Sequence, residues 1–208
     1  MFVLRGAVTF FCFTIEHPGK APRDLRGILQ RGLKGRAFEP IDRRTDEERA
    51  VGFVELEAHD RWEFSPGAFL YGSYALLGFR VDQLKVPAAA LKAEHEKWRR
   101  TFEEKNSRPP SKAEKTESRD ALRQQFRSRA IPISKVHDVS WNLETSQLQI
   151  WASSRKLIDE VQLAVEQAFE VKLLPLSPAA LAVTLGIPDK ALAPTAELCG
   201  VEEEVAHG

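Results

Sequence analysis

An α+β fold is expected of this chain: antiparallel or mixed sheets packed with helices, plus a protruding basic two-helix arm. Three features carry the expectation. Runs rich in Val, Ile, Phe, Tyr and Leu lie between turn residues, as at 69–86 and 136–152. Other segments place apolar residues at helical spacing, as at 155–169. Strand and helix signals come in mixed order, with hairpins, which points to α+β.

With 208 residues, 43% of them apolar, the chain is long enough to bury a core, and its composition is not that of a disordered protein. No stretch approaches the ~18 consecutive apolar residues of a membrane helix. Cys12 and Cys199 stand far apart with no CxxC motif, which argues against a disulfide scaffold and a zinc site and for free thiols in a reducing cytoplasm.

Along the chain, Phe2 to Ile15 reads as a buried strand closed by His17-Pro18-Gly19; its β-branched and aromatic run is unlike a secretory signal. Pro22 opens a short helix with Leu25, Ile28, Leu29 and Leu33 on one face, ending near Gly35. The charged stretch 42–49 reads as loop with one helical turn. Val51 to Glu57 and Phe69 to Val86 read as strands.

Pro87 starts a helix to about Lys105, on which Leu91, His95, Trp98 and Phe102 fall in one ~60° sector, expected to face the core. Asn106 to Pro110 breaks it. Ser111 and Glu114 then form a capping box for a second helix over 112–130. A hairpin around Glu144-Thr145-Ser146, a helix from Arg155 to Phe169 with Ser154 as its cap, a strand from Val171 to Leu174 and a short Leu/Ala helix complete the elements. The expected organisation is a central α+β domain over 1–86 and 131–178, a basic arm over 87–130, and a C-terminal helix with acidic tail over 179–208.

The chain carries 30 basic and 30 acidic residues, but unevenly. Residues 85–135 hold 14 basic against 7 acidic, a net of +7, and residues 136–208 hold 4 against 11, a net of −7. Asymmetry of this kind points to a polyanion partner.

The helix over 112–130 sharpens it. Lys112, Lys115, Arg119, Arg123 and Arg127 share a ~120° sector over ~22 Å. Lys115, Arg119, Arg123 and Arg127 are like charges at i,i+4 spacing, which costs stability unless an anion compensates. These five are the first candidates for phosphate contact. Arg99, Arg100, Lys105 and Arg108 form a second tier, and Lys20, Arg23 and Arg26 a third.

Several stretches in order resemble the RdgC family of bacterial recombination-associated DNA-binding proteins. They are Ala37-Phe38-Glu39-Pro40 with Gly52-Phe53-Val54, Leu84-Lys85-Val86-Pro87 with the charged arm behind it, Arg129-Ala130 ahead of Trp141, and Ser153-Ser154-Arg155-Lys156 leading to Leu173-Leu174-Pro175-Leu176-Ser177. The resemblance spans about residues 1–178. It implies a homodimer, typically a closed ring, that binds duplex DNA without sequence specificity and restrains RecA-promoted strand exchange at the nucleoid. Some classifications label the family exonucleases. Against the family pattern this chain reads as a short member lacking much of the usual C-terminal region, with Ile131 where the family carries an aromatic that helps close a dimer contact.

A nuclease would hold Mg²⁺ on clustered carboxylates. Asp60, Glu63, Asp82 and Asp138 are available, but no D-x-D or E-x-K grouping supports them, and no Walker loop or GxGxxG appears. Glu55 and Glu57 share a strand face, while His59-Asp60 and His137-Asp138 are strand neighbours that point apart. No active site, metal or cofactor is expected. The leading expectation is a duplex-binding protein that restrains RecA-dependent recombination. The alternatives are a metal-dependent exonuclease and an interaction module in which the basic arm of one subunit meets the acidic end of another.

Overall fold

The computed structural model describes residues 9–19 and 24–191. The architecture is α+β, as expected. The seven strands of the described residues form one antiparallel sheet: β1 (Phe11–Glu16), β2 (Arg49–Val54), β3 (Leu70–Tyr71), β4 (Tyr74–Gln83), β5 (Ile133–Asn142), β6 (Gln147–Ile150) and β7 (Lys172–Pro175). The order across the sheet is β2-β4-β5-β6-β1-β7, with β3 paired to β4 beyond the end of β2. Among the described residues six α-helices accompany it: α1 (Leu25–Gly35), α2 (Pro66–Phe69), α3 (Ala88–Asn106), α4 (Lys112–Arg129), α5 (Arg155–Phe169) and α6 (Pro178–Thr184).

Helices α1 and α5 cover one face of the sheet. Leu29 and Leu33 of α1 and Ile158, Val161, Val165 and Phe169 of α5 are buried against Phe53, Phe79, Val139, Trp141 and Leu148. Phe169 sits 5.6 Å from the Trp141 ring and 5.9 Å from that of Phe53, tying helix to sheet through aromatic contacts. The two helices approach so closely that a Cβ on Gly32 would lie 2.2 Å from the Ala168 carbonyl oxygen. The helical periodicity of 155–169 is therefore a core signal.

At the free edge of β2, residues 36–38 pair with Phe53 through a parallel bridge, and from there the chain crosses over the Gly52 side of the strand. Phe38 donates its N–H to the Phe53 carbonyl at 2.9 Å and is fully buried. A Cβ on Gly52 would lie 2.4 Å from the Phe38 Cα, so this crossing requires glycine beneath it. Arg80 stacks on the Phe38 ring, 4.3 Å from its centre, and grips both carboxylate oxygens of Asp82 at 2.8 Å. Burial alone would raise the Asp82 pKa; hydrogen bonds from Arg80 and Ser134, with the charge of Arg80, outweigh it and hold the group ionised below its usual range.

Four expectations change. The stretch Phe69 to Val86 is not one strand: Gly72, at φ +60°, and Ser73 make a two-residue turn, so Tyr71 pairs with Tyr74. Residues 42–49 contain turns but no helix, because Asp42 bonds the Arg44 N–H through its side chain and the Thr45 N–H through its carbonyl. Helix α1 is capped by Asp24, whose carboxylate accepts from the Gly27 N–H at 2.9 Å; Pro22 lies outside the described residues, as do Lys20, Arg23, residues 1–8 and the acidic tail. Ser154 takes the N-cap position of α5 without a side-chain capping bond.

One more change concerns the arm. The stripe Leu91, His95, Trp98 and Phe102 does not reach the core, and no residue of α3 is fully buried. It packs on α4 instead. His95 Nε2 lies 3.1 Å from the Lys115 carbonyl, to which it donates, and stacks on Trp98, whose ring in turn meets Phe102 at 5.3 Å. An amphipathic face indicates that something covers it, not what does.

Candidate functional site

The arm leaves β4 after Gln83 and returns to β5 at Ile133, two residues paired across the same ladder. At the far end, α4 starts from the expected capping box: Ser111 Oγ accepts from the Glu114 N–H and Glu114 accepts from the Ser111 N–H at 2.7 Å. Arg108 adds a two-pronged bond to Glu114, at 2.7 and 3.0 Å, while stacking over Phe102. The Arg108 guanidinium and the Ser111 amide bonds hold the Glu114 carboxyl down at about 2.

The C-terminal half of α4 is clamped to the turn at 42–48. Arg43 donates to the Ser128 and Ala130 carbonyls at 2.7 and 3.0 Å, satisfying the open end of the helix. Arg127 is only 4% exposed; it donates to the Glu47 carbonyl at 2.7 Å and pairs with Asp46. Arg123 pairs with Glu48 at 2.5 Å, a bond that raises its pKa.

Between the arm and the β4 end lies a groove of about 750 Å³. Lys112, Lys115, Arg119 and Arg123 line it from α4, Lys85 from the chain after β4, and His95 from α3. Among the described residues Lys85, Lys112, Lys115 and Arg119 have no carboxylate partner, although Asp120 lines the same groove. The five cations of the α4 row therefore divide: Arg127 holds the arm to the body, Arg123 serves both the ion pair and the groove wall, and Lys112, Lys115 and Arg119 are exposed along it.

The second-tier residues lie elsewhere. Arg99 pairs with Glu96 and Glu103 along α3, and Arg108 closes the arm's tip. Among the described residues Arg100 and Lys105 are exposed without ion pairs, and none of the four lines the groove. Arg26 is exposed on α1. Sequence reasoning missed Lys85 as a site residue, since it stands alone among Leu84, Val86 and Pro87 at the start of the basic segment; only the fold brings it beside α4. Ile131 is 84% exposed at the root of the arm.

The acidic candidates do not converge. Asp82 is bound by Arg80, and burial raises the Asp138 pKa above the usual carboxylate range. Asp60 and His137 border a separate groove with Glu57 and His59, while Glu63 is exposed. Among the described residues, no three His, Cys, Asp or Glu side chains stand together to hold a metal ion. No helix of the described residues is long and apolar enough to cross a membrane.

Comparison with curated proteins finds no match. A family model does match, the one described as "Putative exonuclease, RdgC", over residues 12–185. That span takes in all of the sheet but Phe11, the arm with its basic groove, and the Gly52–Phe38 crossing, and on it the chain belongs to the RdgC family.

Proposed function

We propose that this protein binds duplex DNA without sequence preference and, as a homodimer at the nucleoid, restrains RecA-dependent recombination. Family membership is consistent with a recombination-related role. The observation that carries the DNA reading is the groove beside α4: Lys112, Lys115, Arg119 and Lys85 share it, and among the described residues no carboxylate is bound to any of them. Cations held side by side on a rigid helix gain by neutralising phosphates and releasing counterions, which gives affinity with no base readout. Among the described helices, none beside the groove aims Asn or Gln at base edges in the manner of a recognition helix.

The test is a fluorescence-anisotropy titration of the full chain with arbitrary duplexes across about 50 to 300 mM salt. Binding indifferent to sequence and steeply weakened by salt is expected. No binding at low salt would overturn the reading and assign the arm to a protein partner. The family's description names an exonuclease, so the same samples are run with Mg²⁺: duplex left intact is expected, and metal-dependent shortening of a linear duplex would replace the binding-only reading. Slowed RecA strand exchange in the presence of the protein is expected to accompany binding.

A further inference from the structure

A second groove, of about 380 Å³, lies where the β4–β5 ladder ends beneath the start of α5. Lys135 of β5 and Lys156 of α5 line it together with Ser153 and Ser154. It shares Gln83 and Lys85 with the groove beside α4, so the two run on from one another across the root of the arm.

Charge along this path is arranged in a consistent way. Eight Lys and Arg side chains border the two grooves against three carboxylates, and two of those carboxylates, Glu48 and Glu160, are already taken by Arg123 and Arg49. Among the described residues Lys85, Lys135 and Lys156 are exposed and without an ion pair. Burial lowers the pKa of His137, which also borders the second groove. The positive charge there thus comes from lysines carried on three separate elements, and no periodicity in the sequence connects them.

We propose that this second groove is a phosphate-binding segment of the same duplex track, in which Lys85 passes the DNA backbone from α4 to Lys135 and Lys156. The inference rests on the duplex-DNA reading and extends its contact surface beyond the arm. Lysine suits this role as a compact charge on a flexible stem that can follow either strand without fixing a register.

The experiment measures the dependence of duplex affinity on salt for the full chain, for K85Q/K135Q/K156Q, for K156Q alone and for the arm variant K112Q/K115Q/R119Q. Removing one phosphate-neutralising cation should reduce the slope of log affinity against log salt by about 0.9, so roughly 2.7 for either triple variant and about 0.9 for K156Q. All the substituted side chains are exposed, and unchanged melting temperatures are expected. If the arm variant loses slope while K85Q/K135Q/K156Q binds like the parent, the second segment is refuted and the DNA reading stands. If the parent chain itself shows no salt-dependent duplex binding, both fall together.

Discussion

The guanidinium of Arg127 reaches across from α4 to donate to the backbone carbonyl of Glu47 at 2.7 Å, nearly hidden from solvent. A residue on the helix's cationic face thus fixes that helix to the sheet-bearing body. The neighbours Arg123 and Arg43 reinforce it through Glu48 and the last carbonyls of α4.

Arg127→Ala should therefore cost about 1–3 kcal/mol of stability, because the Glu47 carbonyl loses its donor and Asp46 its partner. Urea denaturation of the two proteins measures this. Arg119→Ala, on an exposed position of the same helix, should stay within about 0.5 kcal/mol of the parent. Equal losses in both would contradict the division of the cationic face.

Charge reversal separates binding from folding along α4. K112E/K115E/R119E should abolish duplex binding at an unchanged melting temperature. Reversing Arg119, Arg123 and Arg127 together should also lower the melting temperature, since Arg127→Glu sets a buried carboxylate beside Asp46. Differential scanning fluorimetry beside the anisotropy assay distinguishes the two outcomes.

Gly52→Ala should destabilise by about 1–3 kcal/mol, the usual cost of forcing extra volume into a packed site. The added methyl meets main-chain atoms of Phe38, which cannot rotate away. A Gly52→Ala protein as stable as the parent in urea would show that the crossing segment can lift off the sheet.

The Glu114 carboxyl provides a pH reading of the arm. Its folded pKa, about 2, lies below its ordinary 4.5, so its stabilising bonds are fully present above pH 4.5 and are lost as pH falls toward 2. Carboxyl NMR should place the midpoint near 2 in the parent and closer to 4.5 in Arg108→Ala. Identical midpoints would remove Arg108 from the tip clamp.

Local signals in the sequence were enough for the capping box at Ser111, the helix 155–169 and the turn around 143–146, because each is specified by neighbours in the chain. Gly72-Ser73 was a readable two-residue hairpin signal hidden inside a long apolar run. The covering of the α3 stripe was not readable, since periodicity marks a face without naming what lies against it. The groove was half legible: the row on α4 follows from 3.6-residue spacing, but Lys85, Lys135 and Lys156 come to border one groove only through the tertiary packing of β4, β5 and α5. The burial of Arg127 was illegible for the same reason, its partners lying about 80 positions earlier.

Gln83 and Ile133 face each other across the β4–β5 ladder, and everything between them is the arm. The two points where the helical hairpin joins the body are therefore as close as those of an ordinary tight turn. Strand pairing alone therefore sets no length for the arm, and its attitude to the sheet is set by the bonds of Arg43, Arg123 and Arg127 between α4 and the turn at 42–48.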